Sequence, residues 1–288
     1  MNKTTITHEE EWDIILKPQS GIFDLKLKEV LRYKDLLWLF VRRDFVAQYK
    51  QTILGPLWNF IQPIFTTLMF LLVFNHIANI STDGVNPTLF YMSGIAFWNY
   101  FSGCLTSTSN TFIANASIFG KVYFPRLILP LSIVVSNIVR LGIQLLLLLV
   151  LMIWYNFHGS PVHITWHWLL IPFLIFVMAG IGFGLGIIIS SLTTKYRDFT
   201  VLITFAIQLA MYATPIAYPL SYLKNKSYKW IIDINPITSL VEAFRFSLFG
   251  RGSFSVSSLG YSTCFMIAVF FIGTMVFNKV EKTFMDTV

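Results

Sequence analysis

The stretch RRDFVAQYKQTILGPLWNFIQP, residues 42–63, begins with two arginines and an aspartate and ends inside an apolar run. Between its halves stands Leu54-Gly55-Pro56, a break. Upstream, Trp38, Val41, Phe45 and Tyr49 recur at helical spacing, and Arg43 and Lys50 share another side, on a helix that also carries Arg42 and Asp44. A helix with an apolar stripe edged by Trp and Tyr, and cations elsewhere, lies in the plane of a membrane interface. Leu36, Leu39 and Phe40 interrupt the polar face, so protein covers part of it. Downstream, proline is well tolerated in the first turn of a helix, so Pro56 starts a spanning segment directly. The pattern predicts an in-plane helix turned sharply into a transmembrane one. A join this short and stiff transmits a push from the cytoplasm.

Composition sets the class. The chain has 288 residues, 55% hydrophobic and 12% charged, with a mean hydropathy of +0.66. Soluble domains are about a quarter charged, so this chain has too little charge to cover a water-facing surface. The class is an all-α, polytopic membrane protein. The net charge of +7 is first an orientation signal, and no clustered basic face points to nucleic acid. Cys104 and Cys264 both lie in apolar segments and are too few for a disulfide framework. Residues 1–34 are polar, carrying Glu9, Glu10, Glu11 and Asp13 among several lysines. They read as a cytoplasmic N-terminal segment rather than a cleavable signal, ahead of a transmembrane domain over residues 35–288.

A spanning helix needs roughly 20 mostly apolar residues. Six segments qualify as candidates: Leu57–Ala78, Leu89–Asn110, Leu127–Tyr155, Trp168–Leu192, Phe199 to about Pro215, and Leu259–Phe277. The second holds Ser93, Asn99, Ser102 and Thr106, so it faces other helices or a wet path rather than lipid. Residues 79–88 and 156–167 contain no Lys or Arg, whereas Lys121, Arg126, Lys195, Arg197, Lys279 and Lys282 fall in the alternate connections. That alternation puts both termini in the cytoplasm. Lys224, Lys226, Lys229, Arg245 and Arg251 break the rule, but in a longer loop their charge counts less.

This outer region, Thr214 to Gly250, is apolar yet cut by Pro215, Pro219 and Pro236. Asn235-Pro236 is a helix start, and Ile237, Leu240, Val241 and Phe244 fall on one helical face. The expectation is two short re-entrant helices capping a path, since irregular backbone at membrane depth must be buried in protein or line a cavity. Pro215, Tyr218, Pro236, Glu242 and Arg245 are the candidate outer gate. Glu242 and Arg245, three apart, are expected to pair on an exposed face.

Several motifs together carry a resemblance. Arg42-Arg43-Asp44, Tyr49 through Trp58 and Gln62-Pro63 resemble the opening motif of type-2 ABC exporter permeases of the polysaccharide and polyol phosphate export group, which includes O-antigen and teichoic acid permeases. Lys121-Val122-Tyr123-Phe124-Pro125-Arg126, Tyr196-Arg197-Asp198, Thr214 through Pro219, Asn235-Pro236 and Glu242-Ala243-Phe244-Arg245 match in the same order. The resemblance covers about residues 35–280. It implies a homodimer in the bacterial inner membrane that moves a lipid-linked polysaccharide. Two copies of a separate cytoplasmic ATPase would hold the ATP and magnesium. No G-x-x-x-x-G-K-[ST] occurs in the chain, so energy comes from a partner or a gradient. The resemblance also implies that residues 115–126, with Asn115, Ser117, Phe119, Lys121, Tyr123 and Arg126, dock on the ATPase.

Three further groups call for a reading. Aromatic residues make up 17% of the chain, and Phe60, Phe65, Trp98, Phe101, Phe205 and Tyr212 are candidates for a channel lining on which sugar rings slide. Lipid contact is the plainer account of any one of them. Arg140, in the third segment, costs ~3 kcal/mol on insertion scales and so faces the bundle, a lipid-linked phosphate, or Asn137 and Gln144, unless it snorkels to the headgroups. His158, His163 and His167 lack a nearby carboxylate or thiol, so no metal site is expected. Glycines 180, 182, 184 and 186 signal close helix packing. A membrane-embedded glycosyltransferase would need acidic residues converging at one membrane face, but Asp44, Asp83, Asp198, Asp233 and Glu242 are split between the two. A permease for capsule, drug or haem export would share the fold.

Overall fold

The helix breaks where the sequence predicts, between Tyr49 and Gly55. The structure, a computed structural model, describes residues 27–119, 124–158, 166–196, 198–223, 226–227 and 229–284. After a short α1 (Leu27–Arg32), α2 (Lys34–Tyr49) stops where Lys50 becomes extended and Gln51 takes φ 65°. Gly55 takes φ 50°, which only glycine adopts freely. Pro56 sits in the first turn of a 3-10 segment, Gly55–Leu57, and α3 (Trp58–Phe70) continues from it. A π-helical stretch, Leu71–Ile77, completes the first span.

Asn86 caps α4 (Pro87–Ser109), its side chain accepting from the Thr88 N–H at 3.0 Å. Two single turns follow, α5 (Thr111–Ala114) and α6 (Ala116–Phe119), and then the long α7 (Ile128–Phe157). A 3-10 turn, Trp166–Leu170, leads into α8 (Ile171–Thr193). After α9 (Phe199–Tyr212) come a 3-10 turn at Leu220–Leu223, α10 (Lys229–Ile234), α11 (Pro236–Phe249) and α12 (Val256–Phe284). No strand occurs among the described residues.

Contacts between chain ends show how the helices run. At one end, Arg43 meets Asn115, the Phe112 N–H donates to Ser190, Thr200 donates to Asn110, and Phe112 stacks on Phe277. At the other, Thr88 meets Tyr155, His167 packs on Phe246, Asn235 donates to the Ala213 carbonyl and Tyr261 to that of Ile234. Thus α4, α7, α8, α9 and α12 run alternately down and up between two ends, named inner and outer after the orientation that lysine and arginine placement predicts.

The core is the seam of α4, α8 and α12. The four glycines serve both neighbours of α8. A Cβ at Gly182 would lie 2.9 Å from Cys104 Cβ, and one at Gly186 2.6 Å from Thr108 Cβ, both on α4. A Cβ at Gly184 would lie 2.8 Å from the Val269 backbone carbon of α12. Close packing is therefore their role, as the spacing predicts.

Among the described residues, four runs are long and apolar enough to cross a membrane: Gly55–Ile77, Ile128–Phe157, Trp166–Thr193 and Val256–Val280. The other two expected spans differ, for separate reasons. The 23-residue α4 has the length and is mostly buried, but Asn99, Ser102 and Thr106, half-buried along it, make it less apolar than the four. The 14-residue α9 is apolar but only about 21 Å long at 1.5 Å per residue, short of a ~30 Å hydrocarbon core.

Candidate functional site

At the inner end, α2 is held by part of its stripe and by the residues that interrupt its polar face. Phe40 and Val41 are buried, with Leu36 half-buried behind them, whereas Trp38 and Leu39 face outward. The Phe40 ring lies 5.7 Å from that of Phe124, just before α7. Arg43 stands over Phe40 at 4.7 Å, pairs with Asp44 at 2.7 Å and donates to Asn115 Oδ1 at 3.3 Å. Tyr49, in edge contact with Phe45, accepts a hydrogen bond from Asn59 on α3, bracing the join from inside. Arg42 and Lys50 are exposed.

The structure therefore brings the in-plane helix against the segment expected to dock on an ATPase. Asn115 is buried and donates to the Thr111 carbonyl at 3.0 Å, Ser117 is exposed, and Arg126 is half-buried. Lys121 and Tyr123 lie outside the described residues, and of Phe119 only the backbone is described. The base of this segment is firm, because buried Phe112 is wedged between α8 and α12.

At the outer end two short helices, α10 and α11, form between Thr214 and Gly250. Asn235 caps α11, accepting from the Ile237 N–H at 3.0 Å, and its amide donates to the Ala213 carbonyl at 3.2 Å and to Thr214 Oγ1 at 2.9 Å. Ile237, Leu240, Val241 and Phe244 are buried, and Phe244 stacks on Phe97 of α4 at 4.4 Å. Pro215 is buried, Tyr218 is half-buried with its hydroxyl on the Tyr212 carbonyl at 2.8 Å, and the Pro236 carbonyl accepts from Ser262 at 2.6 Å.

The expected exposed pair is a correction: Glu242 and Arg245 are both buried. Arg245 donates to the Pro215 carbonyl, to the Ile216 carbonyl at 2.8 Å and to Glu242 at 3.4 Å, and lies 3.7 Å from the centre of the Phe90 ring. Glu242 in turn accepts from the backbone and hydroxyl of Ser253. Gly94 of α4 makes room, since a Cβ there would lie 2.6 Å from the guanidinium. Sequence spacing found the pair but not the partners that bury it.

The aromatic candidates separate. Phe65, Phe205 and Tyr212 are exposed on this chain and Phe60 is half-buried, but Trp98 and Phe101 are packed inside the bundle, 5.4 Å apart. The polar side chains of α4 line a cleft. A cleft of about 300 Å³ opens between α2, α3, α4 and α7, lined by Asn99, Ser102, Thr106 and Arg140 among others. Arg140 thus faces the bundle, beside Asn137 and Gln144. His158 donates to or accepts from its own helix, His167 packs on Phe246, and His163 lies outside the described residues. The acidic residues do not converge: Asp44 pairs with Arg43, Asp83 with Ser221 and Asp233 with Lys229.

The described helices form a bundle with four runs apolar and long enough to cross a membrane, α2 held against the turn at Asn115 and a proline-cut segment packed at the opposite end. The chain belongs to the ABC-2 type transporter family, whose model matches residues 35–249. It is similar to the O-antigen export system permease protein RfbA of Klebsiella pneumoniae, at 31% identity over 91% of this chain and 98% of the relative. RfbA of Myxococcus xanthus is 28% identical over 76% of this chain and 82% of its own length. The capsule polysaccharide export inner-membrane protein CtrC of Neisseria meningitidis is 19% identical over 89% and 95%.

Proposed function

We propose that this chain is the permease of an exporter that moves a lipid-linked polysaccharide of the O-antigen kind across the bacterial inner membrane. It works as a homodimer with two copies of a cytoplasmic ABC ATPase, which carry the ATP and magnesium. Six helices cross the membrane in this reading. α9 reaches the outer face through the apolar turn at Thr214–Ala217, and both termini are cytoplasmic. The observation that supports the reading most is the inner-end linkage. The turn expected to meet an ATPase touches α2 through Asn115 and Arg43, and α2 is joined to the first span by five residues, Lys50 to Leu54. A push on that turn therefore reaches α3 without passing through the core. Family membership and the relatives' export roles support the cargo class, and the capsule protein among them supports a neighbouring polymer as the alternative.

The reading is tested by deletion and complementation. Cells lacking this chain should hold lipid-linked polymer inside and show none at the surface, and plasmid-borne chain should restore it. The purified chain should hydrolyse ATP only when its ATPase is co-expressed. Normal surface polymer in the deletion strain, or ATP hydrolysis by the chain free of other subunits, would refute it.

A further inference from the structure

The cleft between α2, α3, α4 and α7 is polar where a membrane protein is ordinarily apolar. Its lining carries one charge, Arg140, and no carboxylate. Side-chain amides face it from all four helices, among them Gln48, Gln62, Asn99 and Gln144. An arginine within a span is costly and persists when it faces a partner or a wet cavity. The hydrogen bond that Arg140 makes runs to Asn137 Oδ1 at 3.2 Å, a neutral acceptor, and no ion pair engages it among the described residues. The guanidinium is held in place by built geometry. Asn137 is buried, and its amide donates to the Ile133 carbonyl at 2.9 Å, which turns its oxygen toward Arg140. Gly103 of α4 admits that oxygen, since a Cβ there would lie 2.5 Å from it.

Depth narrows the ligand. Gln48 lies at the end of α2 and Gln62 in the second turn of α3, so the cleft opens level with the in-plane helix and the join. Ile53, Leu57 and Trp58 are exposed at that level. In-plane helices sit at the boundary of headgroups and acyl chains, where the anions are lipid phosphates. A guanidinium fork matches phosphate oxygens, and amide N–H groups supply further donors. We propose that this cleft binds the phosphate or diphosphate headgroup of a lipid, with Arg140 as its counter-ion. If that lipid is the carrier of the exported polymer, the site rests on the export reading; if it is a bulk anionic phospholipid, it does not.

Native mass spectrometry in a maltoside detergent, which contains no phosphate, tests the proposal. The purified chain is titrated separately with a polyprenyl diphosphate, with phosphatidic acid and with uncharged polyprenol. Parent protein should retain at least one phosphate lipid better than polyprenol. Arg140→Gln should weaken that retention about tenfold or more, as expected for a hydrogen bond to a charged group. Gln62→Glu should weaken it too, by placing a carboxylate in the cleft; Gln62 is exposed, so this variant folds as the parent does. Preference for polyprenyl diphosphate identifies the cargo carrier, and preference for phosphatidic acid a bound membrane lipid; both uphold the phosphate site. Equal retention by parent and Gln62→Glu, or binding of polyprenol as strong as that of either phosphate lipid, overturns it. The assay contains neither ATPase nor polymer, so its failure leaves the export reading standing, and failure of that reading leaves the site standing.

Discussion

Arg245 at the outer end and Arg43 at the inner end both pair with an acid close by in sequence, yet their side chains are 2% and 39% exposed. Arg245 is held by two backbone carbonyls, a carboxylate and an aromatic face. Arg43 has one adjacent carboxylate and one long hydrogen bond to another element. A buried cation tied to several acceptors fixes one arrangement, because leaving it unpaired is costly. A solvated pair is worth ~1 kcal/mol or less and allows sliding. The outer cap is thus locked to residues 215 and 216 and to Phe90 of α4, whereas the contact of α2 with the inner turn is cheap to exchange.

The largest effect tests the lock. Arg245→Glu should destabilise the chain by about 3–5 kcal/mol, leaving two carboxylates and two unpaired carbonyls in the interior. The double variant Arg245→Glu with Glu242→Arg should not recover it, because the lost partners are backbone carbonyls on another segment. Solubilised yield and thermal unfolding measure both; parental stability of the single variant, or rescue by the swap, would mean the pair is a surface pair after all. Next is Asn235→Ala, which removes the cap of α11 and its tie to α9. A loss of ~1–2 kcal/mol is expected, read as a lower unfolding midpoint, and an unchanged midpoint would show the cap to be held by α11 packing alone.

At the inner end the prediction reverses. Asn115→Ala should cost ~1 kcal/mol or less, but should lower ATPase turnover in the assembled complex more than it lowers stability. Parallel loss of both would erase the contrast between the two ends. The smallest perturbation asks which end is which. Cys264 is exposed and Cys104 buried, so Cys264→Ser gives a quiet background. A cysteine at Ser81 or Ser227 should then react with an impermeant reagent from outside the cell and one at Thr194 should not. Labelling at Thr194 would invert the orientation that lysine and arginine placement predicts.

How far the sequence could be read depended on whether the signal was local. Apolar runs above twenty residues mark α3, α7, α8 and α12, and Gly55-Pro56 and Asn235-Pro236 mark the join and the start of α11, because these are properties of neighbouring residues. The glycines of α8 were legible as packing for the same reason. The burial of Arg245 was not, since an acid and an arginine three apart look alike on a surface and in a core. Its partners, the carbonyls of residues 215 and 216, carry no residue signature, and the clue was Gly94 on a distant helix. Trp98 and Phe101 show the same limit, because an aromatic side chain suits a core and a sugar-lined channel equally. Phe40 was legible as a break in the polar face that protein would cover, and Phe124 covers it; which of its neighbours joins it was not, since Leu36 is half-buried and Leu39 faces outward. Arg140 was visible alone, but the cleft around it draws on four helices.

The glycine seam also bears on how the chain is made. α8 offers one glycine face to α4, already synthesised, and the other to α12, which follows every other described helix. Until α12 emerges from the ribosome and inserts, the Gly184 face has no neighbour, and Phe112 lacks the ring of Phe277 on which it stacks. Helices inserted in order therefore wait, half assembled, for the last one to close the bundle. A chain interrupted before Phe277 would leave the membrane with an open seam for quality-control proteases to find.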